Sequence, residues 1–184
     1  TTLFLIGLAK KVLLADTVAP LADLAFATPN PSMALAWLGS IAYMMQLYFD
    51  FSGYSDMAIG VAKTFGYDLC RNFDMPYVAP NPTEFWKRWH ITLGDWLNDY
   101  FFKPIFKELT TKKKFKPIQR QNIALFLTFT LMGFWNGFEL HFILSGMLFG
   151  VYSVVHNYYV YLCKKNARDV VFGNLSPKSV QFLS

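Results

Sequence analysis

Charged residues are scarce in this sequence. Asp, Glu, Lys and Arg make up 16% of the 184 residues, whereas soluble domains average about 25%. Hydrophobic residues reach 54%, and the mean hydropathy is +0.27 despite nine prolines and eleven glycines. The shortage of charge argues against an ordinary soluble domain and predicts an integral membrane protein.

Several features of common enzyme and binding classes are also absent. The two cysteines, Cys70 and Cys163, are far apart and form neither a disulfide framework nor a metal-binding spacing. The sequence has no glycine-rich phosphate loop and no nucleophile elbow. The candidates for chemistry are therefore isolated polar groups within apolar segments.

Two long runs without formal charge stand in the second half of the chain. Residues 121–138 form a run of eighteen and residues 140–163 a run of twenty-four, and a membrane span needs about 17–25 residues. Basic clusters flank both outer ends, with seven Lys/Arg between Lys103 and Arg120 and three more at 164–168. This pattern predicts a hairpin of two spans with cytoplasmic outer ends. A long tilted helix, or short helices meeting inside the membrane, would also fit.

The first third predicts further helices. Residues 2–26 are apolar apart from four charges and end before a turn at Pro29-Asn30-Pro31, and Lys10 and Lys11 can snorkel to an interface. Residues 33–49 carry no charge and continue into a polar patch that a helix can traverse. Because the chain begins at Thr1 without a processing signature, we expect it to be the C-terminal part of a longer protein, as a single membrane domain over 1–184.

The polar patch contains two carboxylates, Asp50 and Asp56. Carboxylates facing lipid are costly, so these should face protein or water. We expect them to form ion pairs with Lys63, Lys87 or Arg88.

Residues 83–102, TEFWKRWHITLGDWLNDYFF, combine seven aromatic rings, five charges and one histidine. Such a mixture is typical of a helix at a membrane–water boundary. We expect one helix with Thr83 as N-cap and a Glu84–Arg88 pair. At helical spacing one broad face carries Trp86, Trp89, His90, Leu93, Trp96 and Tyr100.

His90 is the strongest candidate for catalysis, since an imidazole titrates near about 6.5 and can act as a general base. The alternative is a structural histidine bonded to a carbonyl. Asn136 can donate and accept hydrogen bonds but cannot act as a base, and its place in an apolar run next to Gly137 favours a helix-contact amide. His141 and Glu139 lie nearby and either titrate or are simply solvated.

Four motifs in the same order resemble the membrane-bound O-acyltransferase (MBOAT) family, over roughly residues 5–150. They are YFDFSGYSDMAIG (48–60), NFDMPY (72–77), EFWKRWHITLGDWLNDY (84–100) and LMGFWNG (131–137). The likeness is to the bacterial cell-envelope branch, whose members acetylate alginate or D-alanylate teichoic acids. GLAKKVLLAD (7–16) resembles the alginate type, and the basic loop at 112–114 resembles the teichoic acid type.

The resemblance implies an all-α, polytopic helical membrane protein, here a fragment of an MBOAT fold with a boundary or re-entrant helix. It implies transfer of an acetyl or D-alanyl group from a thioester donor to a hydroxyl of an envelope polysaccharide or teichoic acid. The donor would be an acyl carrier protein or coenzyme A, with no tightly bound cofactor and no metal. The location would be the bacterial plasma membrane, with lipids as partners; no nucleic acid is expected, because the apolar flanks leave no suitable surface.

The resemblance also implies site residues. The family's RWH histidine matches His90, and the histidine treated as its catalytic base corresponds here to Asn136. The family's later G-x-x-H-G reads here as Gly146-Met147-Leu148-Phe149-Gly150. We expect His90 and Asn136 in one reaction centre, with substrate-binding residues around them: Trp86, Arg88, Trp89, Trp135, Asp50 and His141.

Asparagine at the base position leaves three explanations open. The residue is an inactivating mutation, or the protein uses His90 or His141 as base, or it is a non-catalytic relative that serves as a scaffold or export partner. A transporter is a further hypothesis, since intramembrane carboxylates such as Asp50 and Asp56 occur in transporters.

Overall fold

The computed structural model describes residues 2–112 and 114–166, in which helices are the regular structure, as predicted. Arg168, a member of the second basic cluster, lies outside the described residues. So does the tail from Val170, for which the sequence makes no prediction. The chain divides into two compact units, residues 1–73 and the part from Asp74 onward.

The first unit consists of two shorter helices joined by a π-helical turn, followed by one long helix. Its elements are α1 (Thr2–Ala9), a π-helical turn (Lys10–Ala15), α2 (Asp16–Ala27) and α3 (Met33–Thr64). The predicted turn at 29–31 is confirmed, and α3 begins where the Ser32 side chain accepts a hydrogen bond from the Leu35 N–H at 3.2 Å. The helix continues for 32 residues through the polar patch, also as predicted.

Glycines bring α1 and α3 into backbone contact. A Cβ on Gly7 would lie 2.5 Å from the Gly53 carbonyl oxygen, and a Cβ on Gly53 would lie 2.7 Å from that of Gly7. Both distances are too short for any side chain, so glycine is required at this crossing.

Ion pairs join the π-helical turn to the polar patch of α3. Lys10 Nζ lies 2.6 Å from an Asp56 carboxylate oxygen, and Lys11 Nζ lies 2.7 Å from Asp50 and 2.8 Å from Asp16. Hydrogen bonds with Asp16 and Asp50 raise the pKa of Lys11. The predicted partners of Asp50 and Asp56 were therefore wrong, because the lysines expected to snorkel are turned toward α3 instead.

The second unit is built around a hairpin of two long helices. A 3₁₀ turn (Pro76–Val78) in the irregular segment leads to α4 (Pro82–Arg88), α5 (Ile91–Leu97) and a π-helical turn (Asn98–Phe102). The remaining elements are α6 (Lys103–Thr111), α7 (Pro117–Asn136) and α8 (Leu140–Lys165).

The α7–α8 pair confirms the helical hairpin predicted from the two uncharged runs, whereas its two membrane crossings and the cytoplasmic outer ends stay predictions. The helices are antiparallel, because Gly133 meets Gly146, Phe126 meets Gly150 and Asn122 meets Asn157. The Asn157 amide donates to the Asn122 carbonyl oxygen at 2.6 Å, which pairs two polar groups inside apolar runs.

One helix of the described residues, Leu140–Lys165, is long and apolar enough to cross a membrane. Length and composition alone support this, and the multi-pass arrangement stays a prediction.

Replacing Gly146 tests the contact between α7 and α8. A Cβ there would lie 2.6 Å from the Phe129 carbonyl oxygen and 2.8 Å from the Gly133 Cα. We expect Gly146→Ala to lower the free energy of unfolding by about 1–3 kcal/mol, since the backbones must separate. Thermal unfolding in bicelles, followed by circular dichroism, measures the change.

Gly94→Ala is the matched control within α5. The nearest atom to its added Cβ is the Trp86 carbonyl oxygen at 3.7 Å, an ordinary contact, so the helix should gain roughly 0.5–1 kcal/mol. Equal effects of the two substitutions would contradict the close contact.

Candidate functional site

The segment around His90 begins with a well-capped helix. The Asn81 side-chain oxygen accepts a hydrogen bond from the Glu84 N–H at 2.8 Å, and Pro82 takes the first helical position. The prediction of Thr83 as N-cap was wrong. Asn followed by Pro and then by Glu at the third position was the signal that could have identified Asn81.

The Thr83 hydroxyl instead attaches α4 to α8. Its Oγ1 shares a hydrogen bond with His156 Nδ1 at 3.2 Å. The predicted Glu84–Arg88 pair is also corrected, because Glu84 pairs with Lys87 at 3.0 Å.

Trp86 seats α4 on the hairpin. Its ring centroid lies 5.1 Å from that of Phe129 on α7 and 5.0 Å from that of Phe149 on α8. Edge-to-face and tilted aromatic contacts of this kind contribute about 0.5–1.5 kcal/mol each beyond their buried area. Trp86 thus fixes the position of α4 against both long helices.

These contacts also give the direction of α4. Thr83 meets α8 at His156, whereas Trp86 meets it at Phe149, seven residues or about 10 Å closer to the α7–α8 turn. Because α8 starts at that turn, α4 advances from its first residue toward the end of the hairpin that carries Asn136.

The predicted continuous helix is broken at His90, which corrects the expected helix over 83–102. Trp89 is extended, with φ −105° and ψ 121°, and His90 is left-handed, with φ 45° and ψ 58°. The Asp74 N–H donates to the Arg88 carbonyl at 3.0 Å, and the His90 carbonyl accepts from the Gly94 N–H at 3.0 Å. These two bonds hold the backbone on either side of the break.

A left-handed histidine is uncommon and costs of order 1–3 kcal/mol, and such residues cluster at functional sites. The hydrophobic spacing of the segment gives no signal of this conformation. The His90 side chain is half-buried, and burial lowers the pKa of the imidazole. At neutral pH the ring is therefore uncharged and able to accept a proton.

Aromatic rings surround the same segment. Trp89 stacks on Phe85 at 5.7 Å between centroids, and Tyr77 lies 6.1 Å from each of them. Phe85 and Trp86 also line a cavity of about 190 Å³, together with Pro82, Phe149 and Tyr152. Its lining includes the predicted site residue Trp86 but neither His90 nor Asn136.

Three predicted site residues lie at the turn of the hairpin. Asn136 ends α7 exposed, with its amide donating to the Met132 carbonyl at 3.0 Å. Trp135 is 66% exposed, and His141 is exposed in the first turn of α8 with its ring 4.2 Å from that of Phe142. The structure therefore brings Asn136, Trp135 and His141 together at one end.

Two other predicted binding residues, Arg88 and Asp50, are not part of the α7–α8 hairpin. Arg88 is half-buried at the end of α4, beside the break. Asp50 belongs to the first unit, where Lys11 neutralises it. Among residues 2–112 and 114–166, no three His, Cys, Asp or Glu side chains lie close enough together to hold a metal ion.

Comparison with known proteins identifies the family. The model of the membrane-bound O-acyltransferase family, MBOAT, matches residues 4–169. The chain is 45% identical over 154 residues to the probable alginate O-acetylase AlgI of Pseudomonas fluorescens, covering 84% of this chain and 30% of that protein.

Two further relatives modify other polymers according to their names. The peptidoglycan O-acetyltransferase of Helicobacter pylori is 42% identical, covering 89% of this chain and 30% of the relative. The teichoic acid D-alanyltransferase of Bacillus subtilis is 37% identical, covering 66% and 32%. The chain thus spans about 30% of the length of these curated relatives, and it belongs to the membrane-bound O-acyltransferase family.

Proposed function

We propose that this chain is part of a multi-pass plasma-membrane enzyme that transfers an acyl group from a thioester to a hydroxyl of an envelope polymer. Membership of the family supports the reaction class. The observation that carries the assignment of the site is His90, a half-buried imidazole with a lowered pKa, held in a strained conformation where two helices meet.

In the proposed reaction, His90 removes the proton of the acceptor hydroxyl as its oxygen attacks the thioester carbonyl. The tetrahedral intermediate then collapses, the carbon–sulfur bond breaks, and the thiolate leaves with the proton returned by the imidazolium. The amide of Asn136 orients the hydroxyl or donates a hydrogen bond to the oxyanion. The direction of α4, toward the end of the hairpin that carries Asn136, supports pairing these two residues.

The surrounding residues suit the two substrates. Trp86, Trp89 and Trp135 supply aromatic walls for a passage through the membrane domain. Lys87 and Arg88 at the end of α4 can meet a phosphate or carboxylate on the donor or acceptor. The donor is an acyl carrier protein or coenzyme A, presented from the cytoplasmic side.

Acetyl is the acyl group that the comparisons favour. The two relatives named as O-acetyl-transferring proteins match 84% and 89% of this chain, whereas the D-alanyltransferase matches 66%. The acceptor is a hydroxyl-bearing envelope polysaccharide such as alginate or peptidoglycan, with teichoic acid as the alternative.

A second candidate function is a scaffold without catalysis, and Asn136 favours it. A missing base or oxyanion group costs about 10²–10⁴ in rate. Under this alternative, the chain as it stands would transfer no acyl group, and Asn136→His would create the activity.

His90→Asn separates the chemistry of the side chain from the shape of the backbone. Asparagine tolerates the left-handed conformation but cannot act as a base. We expect kcat for acyl transfer to fall about 10²–10⁴-fold while the melting temperature stays close to that of the unmodified protein. The assay follows label from a radioactive thioester into the polymer.

His90→Ala adds the backbone effect for comparison. Alanine in a left-handed conformation costs about 1–2 kcal/mol, so this variant should be both inactive and less stable. Full activity in His90→Asn would remove His90 from the chemistry.

Acyl transfer should depend on pH through His90. Burial lowers the pKa of this imidazole, so the neutral base persists below about 6.5, the usual histidine value, and is lost only as pH falls through the lowered pKa. We expect the acid limb of kcat/KM below about 6.5. An acid limb well above that value would assign the titration to another group.

Asn136→Ala tests the amide. If Asn136 stabilises the oxyanion, kcat should fall about 10²–10³-fold with little change in KM. Asn166→Ala, which removes an exposed amide just after α8, is the matched control and should keep full activity. If the unmodified chain shows no acyl transfer and Asn136→His does, the chain with Asn136 is instead a catalytically inactive form.

A further inference from the structure

Positive charge without acidic partners accumulates on the α6–α7 segment and the end of α8. We define the basic rim as the cationic residues of this region that lie in no ion pair among the described residues: Lys107, Lys114, Lys116, Arg120, Lys164 and Lys165. The five lysines are exposed, and Arg120 is half-buried with its Nε donating to the Phe115 carbonyl at 2.6 Å.

Two other lysines in the described part of this region are already neutralised. Lys103 Nζ lies 2.6 Å from Asp99, and Lys112 Nζ lies 2.9 Å from Glu108. The rim is therefore a surplus of charge rather than one side of an internal network.

The register of the hairpin brings both parts of the rim to one level. Gly133 meets Gly146, Phe126 meets Gly150, and Asn122 meets Asn157. Continuing this antiparallel register from Asn122 and Asn157 by a little under two turns sets Lys116 level with Lys164. Cations from two separate stretches of chain thus lie at the same end of α7 and α8.

Tyrosine rings lie one turn deeper along the same end of α8. Tyr158 and Tyr161 stack at 6.1 Å between centroids and are 48% and 39% exposed. Beyond them, toward the turn, α8 is the helix apolar enough to cross a membrane. The order of cations, then tyrosines, then apolar surface matches the order of headgroups, interface and hydrocarbon in a bilayer.

We infer that the basic rim is a binding surface for the phosphate headgroups of anionic phospholipids in the cytoplasmic leaflet. Clusters of four to eight Lys/Arg next to a span attract anionic lipid by about 1 kcal/mol per residue, which is about fivefold in affinity. The inference does not depend on the acyl-transfer reaction. An acidic protein would also be attracted by positive charge, but the order of cations, tyrosines and apolar surface along α8 fits a lipid better.

The test compares short-chain phosphatidylglycerol with phosphatidylcholine of equal chain length, titrated by calorimetry into the full protein in neutral detergent. We expect phosphatidylglycerol to bind more tightly than phosphatidylcholine, and we expect its affinity to fall as salt is added. The double variant Lys116→Gln with Lys164→Gln should lower the affinity for phosphatidylglycerol about thirty-fold and leave the affinity for phosphatidylcholine unchanged.

A charge-neutral double variant from the same segment is the control. Glu108→Gln with Lys112→Gln removes an ion pair at no net change in charge, so phosphatidylglycerol affinity should stay within about twofold. Both double variants should keep their melting temperatures, because all four side chains are exposed.

Three results would overturn the inference. One is equal affinity for the two lipids. Another is glycerol 1-phosphate binding as tightly as phosphatidylglycerol, which would indicate a site for free phosphate. The third is a lipid preference that survives in the rim variant while capture of a purified acidic acyl carrier protein is lost, which would make the rim a protein docking surface.

Discussion

The close backbone contact between α7 and α8 is the constraint on which the second unit depends. Gly133 and Gly146 allow the helices to approach until no side-chain atom fits between them. Van der Waals contact of this kind, together with interhelical hydrogen bonds, holds helices together even where lipid removes the hydrophobic driving force. The Asn122–Asn157 pair supplies such an interhelical hydrogen bond, about three turns away along α7.

The hairpin in turn defines where His90 is. Phe129 and Phe149 reach the Trp86 ring only because their helices are adjacent, and Trp86 then sets the direction of α4. The Thr83–His156 bond fixes the other end of this short helix. A seven-residue helix has little stability of its own, so the location of the imidazole depends on packing far from it in sequence.

Sequence patterns predicted the long elements and failed at local geometry. The uncharged runs identified the hairpin, and a helix through Asp50 was correctly expected, because length and hydropathy are properties of the chain itself. The Asn81 cap was missed although its pattern was visible in Asn-Pro-Thr-Glu. The break at His90 has no such pattern, since it depends on the hydrogen bond from Asp74 to Arg88. The partners of Asp50 and Asp56 were missed because they come from a helix about forty residues away.

Lys11 is shared by two carboxylates, those of Asp16 and Asp50. The three residues therefore differ in how far a substitution of each would disturb the charge balance. Losing either acid still leaves one cation and one anion together, a neutral couple. Losing the lysine leaves two anions that now repel each other across the interface between helices. Natural variation at this crossing should therefore spare the amine more strictly than either of the acids it holds.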